Sequence, residues 1–390
     1  MITITPLKAI HATILMLIAT ACAAPAVAQN WSPMEPPPRG RHSAVMNVYT
    51  DRMIVFGGFT TKRDRLGDVW VLVHPDGVGG PQAWKQLVPG NSTPVRAGHS
   101  AIYDAASNRM IVFGGELDSH FVGHSTSNDV WVLTHADGNG GTSLWTHLTP
   151  SGPAPLPRDF HSAVYDSANN RMIVFGGRSD YGFKIQSLND VWVLSHANGL
   201  GGTPAWTQLH PTGSLPSRVY AHSAIYNEAS NRMVVFGGAL CPETDLYGCS
   251  MTNGLFVLSN ANGDGPPYWT QLEATGVASP EIRSEHTAIY DPATNRMVVF
   301  GGNSGGGHRG TAVLDDTWVL SHADGTGGTP AWTRSTPAGT APAPRSSHTA
   351  VYNAANNCMI VFGGLTEAAE GGGQFRHGMD DTSVLCDASN

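Results

Sequence analysis

His161-Ser162-Ala163-Val164-Tyr165-Asp166 leads through Ser167-Ala168-Asn169-Asn170 into Arg171-Met172-Ile173-Val174-Phe175-Gly176-Gly177. The first stretch reads as a strand, the second as a turn, and the third as an apolar strand stopped by two glycines. After a loop comes Asn189-Asp190-Val191-Trp192-Val193-Leu194, rich in β-branched and aromatic residues. His196-Ala197-Asn198-Gly199 carries an Asn-Gly hairpin signal and leads to Ala205-Trp206-Thr207-Gln208-Leu209. Four short strands in meander order make one small sheet. Its continuous apolar strands fit a sheet covered on both faces.

The unit recurs. Phe-Gly-Gly closes the second strand at Phe56, Phe113, Phe175, Phe236, Phe300 and Phe362. The leading histidines, His42, His99, His161, His222, His286 and His348, are spaced by 57, 62, 61, 64 and 62 residues. A period near sixty residues with strand signals in every unit means an array of small sheets. With these motifs the chain resembles the Kelch family, whose units share the double glycine and paired aromatics in the later strands. Those aromatics are Trp70, Trp131, Trp192, Phe256 and Trp318 in third strands, and Trp84, Trp145, Trp206, Trp269 and Trp332 in fourth strands. The resemblance covers residues 31 to 386 and implies an all-β, six-bladed Kelch-type β-propeller. Blades are expected near 39–90, 91–150, 151–212, 213–275, 276–337 and 338–390. The last unit has no fourth strand of its own, and Trp31 precedes the first unit unpaired. A strand at 29–34 is therefore expected to complete the last blade and close the ring, removing free sheet edges. The tryptophans are read as packing residues.

The first 28 residues combine Lys8, an apolar run from Ala9 to Ala21 and Ala26-Val27-Ala28. That pattern predicts a secretory signal cleaved after Ala28, with residues 29–390 as one domain in a secreted or periplasmic protein. A cut before Cys22 would instead give a lipoprotein. No stretch approaches the length of a membrane span. Removing the leader leaves Cys241, Cys249, Cys358 and Cys386, an even number that points to disulfides in an exported chain. Cys241 and Cys249 share a loop. Cys358 and Cys386 fall at the start of one strand and the end of the next, where antiparallel neighbours meet; buried free thiols are the alternative. The formal net charge is −8 and no basic cluster occurs, which argues against nucleic-acid binding.

Loops joining first to second strands and third to fourth strands repeat almost verbatim, so they serve the scaffold. The Asp-Gly-x-Gly hairpins lack the alternately spaced carboxylates of a calcium loop. Loops joining second to third strands differ in length and content, so one face is individualised and is the expected binding face. On that face Arg39, Arg96, Arg158, Arg218, Arg283 and Arg345 precede the histidines. They are expected to ring the channel mouth, either gripping a carboxylate ligand or bonding between blades. Glu116, His120 and His124 form the one metal-like set. Its spacing is similar to the Glu-x3-Asp-x3-His iron site of plant nitrile-specifier Kelch proteins, with His in the middle place. No cofactor is expected, and the chain reads as a monomer. Two functions remain: a binding protein for a glycan or protein, and an enzyme on acidic sugars. The second follows from an architectural similarity to periplasmic N-acetylneuraminate epimerases, with Glu243 or Glu281 able to move a proton.

Overall fold

The structure is a computed structural model and describes residues 35–62, 64–117, 125–181, 184–241, 249–305, 312–370 and 373–388. Six sheets, each an antiparallel meander, follow one another along the chain as a six-bladed β-propeller, the fourth adding a short parallel pairing of Thr212–Gly213 with Tyr268–Gln271. In the third blade Ser162–Asp166, Arg171–Tyr181, Lys184–Ser195 and Ala205–Leu209 pair in sequence order, as the repeat predicts. Each interface between adjacent blades holds an apolar cluster. Met172, Trp192 and Trp206 pack against Ile111, Phe113 and Val130 of the blade before. The ring is closed by the cluster that sets Met53, Val55 and Trp70 against Val351, Ile360 and Phe362. Burial on both faces explains the unbroken apolar second strands, in which Met172 to Phe175 are fully buried.

The second strand stops at the double glycine, as expected, in the first and fourth blades, ending at Phe56 and Phe236, but in the other four it runs on through it. Gly176 and Gly177 have φ of 61° and 98°, and the register shifts between Phe175 and Gly177. The strand bulges there and continues to Tyr181, so this variable loop is the tip of a long hairpin. The last blade extends likewise, over Cys358–Glu370 and Gly373–Cys386. A Cβ on Gly177 would lie 2.7 Å from the His161 Cβ and 2.8 Å from the Asp159 carbonyl oxygen, so glycine is required for contact as well as for φ.

Cys241 bonds Cys249, and Cys358 bonds Cys386 across facing positions of two strands. The last sheet has three strands among the described residues. Beside it lies a cavity of about 420 Å³, lined by Phe300, Thr317, Met359, Val361 and Leu385. The expected leader, Cys22, Trp31 and the expected strand at 29–34 lie outside the described residues. Among those described, no helix is long and apolar enough to cross a membrane.

Candidate functional site: the channel mouth

The residue before each repeated histidine takes the left-handed conformation: Arg41, Gly98, Phe160, Ala221, Glu285 and Ser347, with φ between 50° and 63°. That turn lets each amide reach the carbonyl of its counterpart in the preceding blade. Arg41 donates to Ser347 (2.9 Å), Ser347 to Glu285 (2.9 Å) and Glu285 to Ala221 (2.9 Å). Ala221 donates to Phe160 (2.8 Å), Phe160 to Gly98 (2.8 Å) and Gly98 to Arg41 (2.9 Å), closing a cycle around the channel. A second cycle lies next to it. Each histidine Nε2 pairs with the Ser or Thr hydroxyl of the blade before, as in His161 with Ser100 (2.7 Å) and His42 with Thr349 (2.8 Å). Burial pushes all six imidazoles below their ordinary range, His222 and His348 to about 3, so the rings are neutral. The twelve residues line a channel cavity of about 140 Å³.

The arginines expected to ring the mouth lie elsewhere. Arg39, Arg96, Arg158, Arg283 and Arg345 are buried to within 1%. Each forks onto an aspartate within its own blade's third strand or, for Asp68, just before it. Arg158 donates to both Asp190 oxygens (2.8 and 2.8 Å) and to the Gly176 carbonyl (2.9 Å). Asp68, Asp129, Asp316 and Asp381 serve the other four. Trp70, Trp131, Trp192 and Trp318 donate to the same carboxylates from two residues on. Burial alone would raise the Asp129 carboxyl, but its bonds to Arg96, Ser127 and Trp131 bring it down to about 2. No ligand reaches a guanidinium so enclosed, and the geometry corrects the expectation to a scaffold role. Arg218 leaves the pattern altogether: it is exposed, and Val219 occupies the arginine place.

The mouth is built instead from the two residues between arginine and histidine and the one after each double glycine. Antiparallel bridges join Asp159 to Arg178, Ala97 to Glu116, Tyr220 to Ala239 and Gly40 to Phe59. Asp159, fully buried, holds Arg178 through bonds of 2.6 and 3.1 Å. Burial would lower the Arg178 guanidinium, but the charge and hydrogen bonds of Asp159, with Tyr220 and Glu116 nearby, carry it upward, while burial raises the Asp159 carboxyl. Glu116 takes Arg65 at 2.6 Å, and Glu285 accepts from the Ser347 hydroxyl at 2.8 Å. Arg41 stands apart. Its ion pairs with Glu285 and Glu116 are long, 3.7 and 3.9 Å, and its buried Nε has no partner among the described residues. Its guanidinium lies over Phe160 (4.5 Å) and Phe59 (5.1 Å), with a quarter of the side chain, 26%, open to solvent. The signal in the sequence was the non-repeating x-x within an otherwise repeated Arg-x-x-His.

Of the metal-like set, Glu116 is the carboxylate on Arg65, while His120 and His124 lie outside the described residues. Among those described, no group of three potential ligands gathers. Glu281 is exposed and only its carbonyl is used, by the Arg283 Nε at 3.1 Å; Glu243 lies outside the described residues.

A family model for the KLHDC2/KLHL20/DRC7 Kelch-repeats domain matches residues 23–134, 80–199, 121–260 and 202–364 in overlapping stretches. The chain belongs to the Kelch-repeat family. It is 29% identical over 280 residues to host cell factor 2 of Homo sapiens, covering 69% of this chain and 30% of that protein. It is 31% identical over 297 residues to host cell factor homolog hcf-1 of Caenorhabditis elegans, covering 73% of this chain and 33% of that one. The chain thus spans about a third of these relatives. The solved structure of YjhT superposes with a TM-score of 0.62 at 15% identity, over 91% of this chain and 96% of that one, a likeness of fold.

Proposed function

We propose that this Kelch propeller is an exported binding protein that takes an acidic group of a glycan or a protein at its channel mouth. The observation that carries the reading is Arg41, a partly open cation with long ion pairs between two aromatic faces. A ligand carboxylate there would replace weak contacts with short charge-assisted bonds. Export is supported by the leader read from the sequence and by two disulfides, which persist in oxidising compartments. The test is a thermal-shift screen with sialic and uronic acids, an acidic peptide and neutral sugars as controls. Acidic ligands are expected to raise Tm in the native protein and not in Arg41→Asn, which suits the left-handed backbone. Equal shifts with neutral sugars, or shifts that survive Arg41→Asn, overturn the reading. A second reading, catalysis on an acidic sugar, is favoured by the Asp159 and Glu285 carboxyls and the Tyr220 hydroxyl beside the same cations, burial pushing Asp159 and Tyr220 upward. Anomer exchange of a bound sugar, followed by NMR, distinguishes it from binding alone.

A further inference from the structure

Blade four departs from the others at three linked positions. Val219 stands where they have arginine, and the backbone fixes the correspondence. Val219 N donates to the Leu188 carbonyl (2.9 Å) as Arg158 N does to Ser127 (2.9 Å). Gly254 stands where they have aspartate, since Gly237 N donates to its carbonyl (3.1 Å) as Gly57 N does to Asp68 (3.2 Å). Phe256 takes the place that is tryptophan in four blades and Ser383 in the sixth. The three replacements belong together. Losing the arginine alone would strand a carboxylate, and losing the aspartate alone would strand an indole N–H and a guanidinium.

Among the described residues the vacated space is not refilled: a cavity of about 130 Å³ remains, lined by Val219, Val235, Leu240 and Phe256 together with Ser217, Thr252 and Gln271. It lies at the end of the blade that carries the variable loops, one residue along the chain from Tyr220 of the mouth. Gly237 also lines it. Its counterparts Gly57, Gly114, Gly176, Gly301 and Gly363 accept an arginine Nη1 through their carbonyls. The Gly237 carbonyl accepts no hydrogen bond among the described residues.

We infer that blade four carries a second, uncharged binding site: an apolar socket for one small aromatic group bearing a single hydrogen-bond donor, a phenol or the fused-ring indole. Size, wall and polarity each contribute. An apolar cavity of roughly 150 Å³ in another protein holds benzene, so this volume is of the order of one small aromatic group. Val219, Val235, Leu240 and Phe256 make the wall mainly apolar, which favours a flat apolar group. No carboxylate lines the cavity among the described residues, so a cation gains little there, while the Gly237 carbonyl rewards a neutral N–H or O–H.

The experiment is calorimetric and NMR titration of the intact chain with indole, benzene and N-acetyltryptophanamide. Indole is expected to saturate and to perturb signals of Val219 and Phe256, with benzene about tenfold weaker for want of the donor. Binding of N-acetyltryptophanamide would identify the source as a peptide side chain, and its exclusion a free aromatic molecule. Val219→Phe, which fills the socket, is expected to abolish binding. So is the triple change V219R/G254D/F256W, which rebuilds the arrangement of the other blades. Arg41→Asn is expected to leave indole binding intact, so failure of the channel-mouth reading and of this one are told apart. No saturable indole binding, equal affinity for benzene, or binding that survives Val219→Phe overturns the inference.

Discussion

Asn198 donates from its Nδ2 to the Asp104 carboxylate of the neighbouring blade at 2.6 Å, and both side chains are buried. The same contact recurs around the face opposite the mouth with the partners exchanged. Asn47 meets Asp137 at 2.9 Å, Asn227 meets Asp324 at 2.8 Å, and Asn353 meets Asp76 at 2.8 Å. Asn262 meets Asp166 at 2.8 Å. Each pair joins one amide to one carboxylate. The aspartates of the Asp-Gly-x-Gly hairpins are therefore occupied in joining blades, which explains why those loops repeat.

Asn198→Asp is expected to destabilise the protein by about 3 kcal/mol, because two carboxylates would then share a buried site. The exchange D104N/N198D is expected to recover most of the loss, since the mirrored pair already works between Asn47 and Asp137. Urea unfolding of the two single variants and the exchange tests this. A double variant as unstable as the sum of its parts would remove the pairing from the account.

The Arg158–Asp190–Trp192 set gives a second cycle. Arg158→Val leaves Asp190 without its bidentate partner and is expected to cost roughly 3–5 kcal/mol. R158V/D190G/W192F copies blade four, where the three positions changed together. Its cost is expected to fall short of the summed single variants by about 2 kcal/mol or more, because no orphaned polar group is left. Strict additivity in chemical denaturation would contradict this.

The propeller was legible because its determinants are local and repeat: Phe-Gly-Gly, the leading histidine and the paired aromatics recur at one spacing. The site was less legible. Repetition marked Arg39 and its counterparts but not the aspartates they meet, since Arg39 and Asp68 lie 29 residues apart. Blade four held the clue, for Val219, Gly254 and Phe256 vary as a set. Nor could spacing reveal that Gly176 and Gly177 bulge a strand instead of ending it, because positive φ serves both outcomes. Arg41 was hidden for the opposite reason: it occupies a position where no two blades agree.

The histidine cycle sets a pH limit. Burial depresses the folded-state pKa of all six rings below the unfolded value of about 6.5. Below that pH the unfolded chain binds more protons, so stability is complete above it and lost as pH falls toward about 3, the value of His222 and His348. Each ring contributes a slope of up to about 1.4 kcal/mol per pH unit. Urea midpoints at pH 7, 6 and 5 should fall steeply, and His161→Gln should flatten the profile by about one proton. Equal stability at pH 7 and 5 would rule out neutral buried rings.

A disulfide ties together two neighbouring strands of the last blade. Cys358 and Cys386 enclose a loop with sequence separation 28, for which chain entropy gives about 3–4 kcal/mol of stabilisation. Cys358→Ser/Cys386→Ser is expected to lower Tm accordingly, and thiol counting on the unfolded native chain should find none free. The same blade supplies a sharper test of closure. In five interfaces a phenylalanine of the Phe-Gly-Gly motif packs on the fourth-strand tryptophan of the next blade, as Phe113 does on Trp206 at 5.0 Å. Phe300 has only His348, at 5.3 Å, among the described residues. The sequence expectation is that residues 29–34 bring Trp31 as the sixth of these tryptophans. Deleting 29–38 is then expected to lower Tm by far more than trimming a tail, and Trp31→Ala to reproduce most of the loss. If the deletion melts like the intact protein, the last blade stands on three strands and its disulfide.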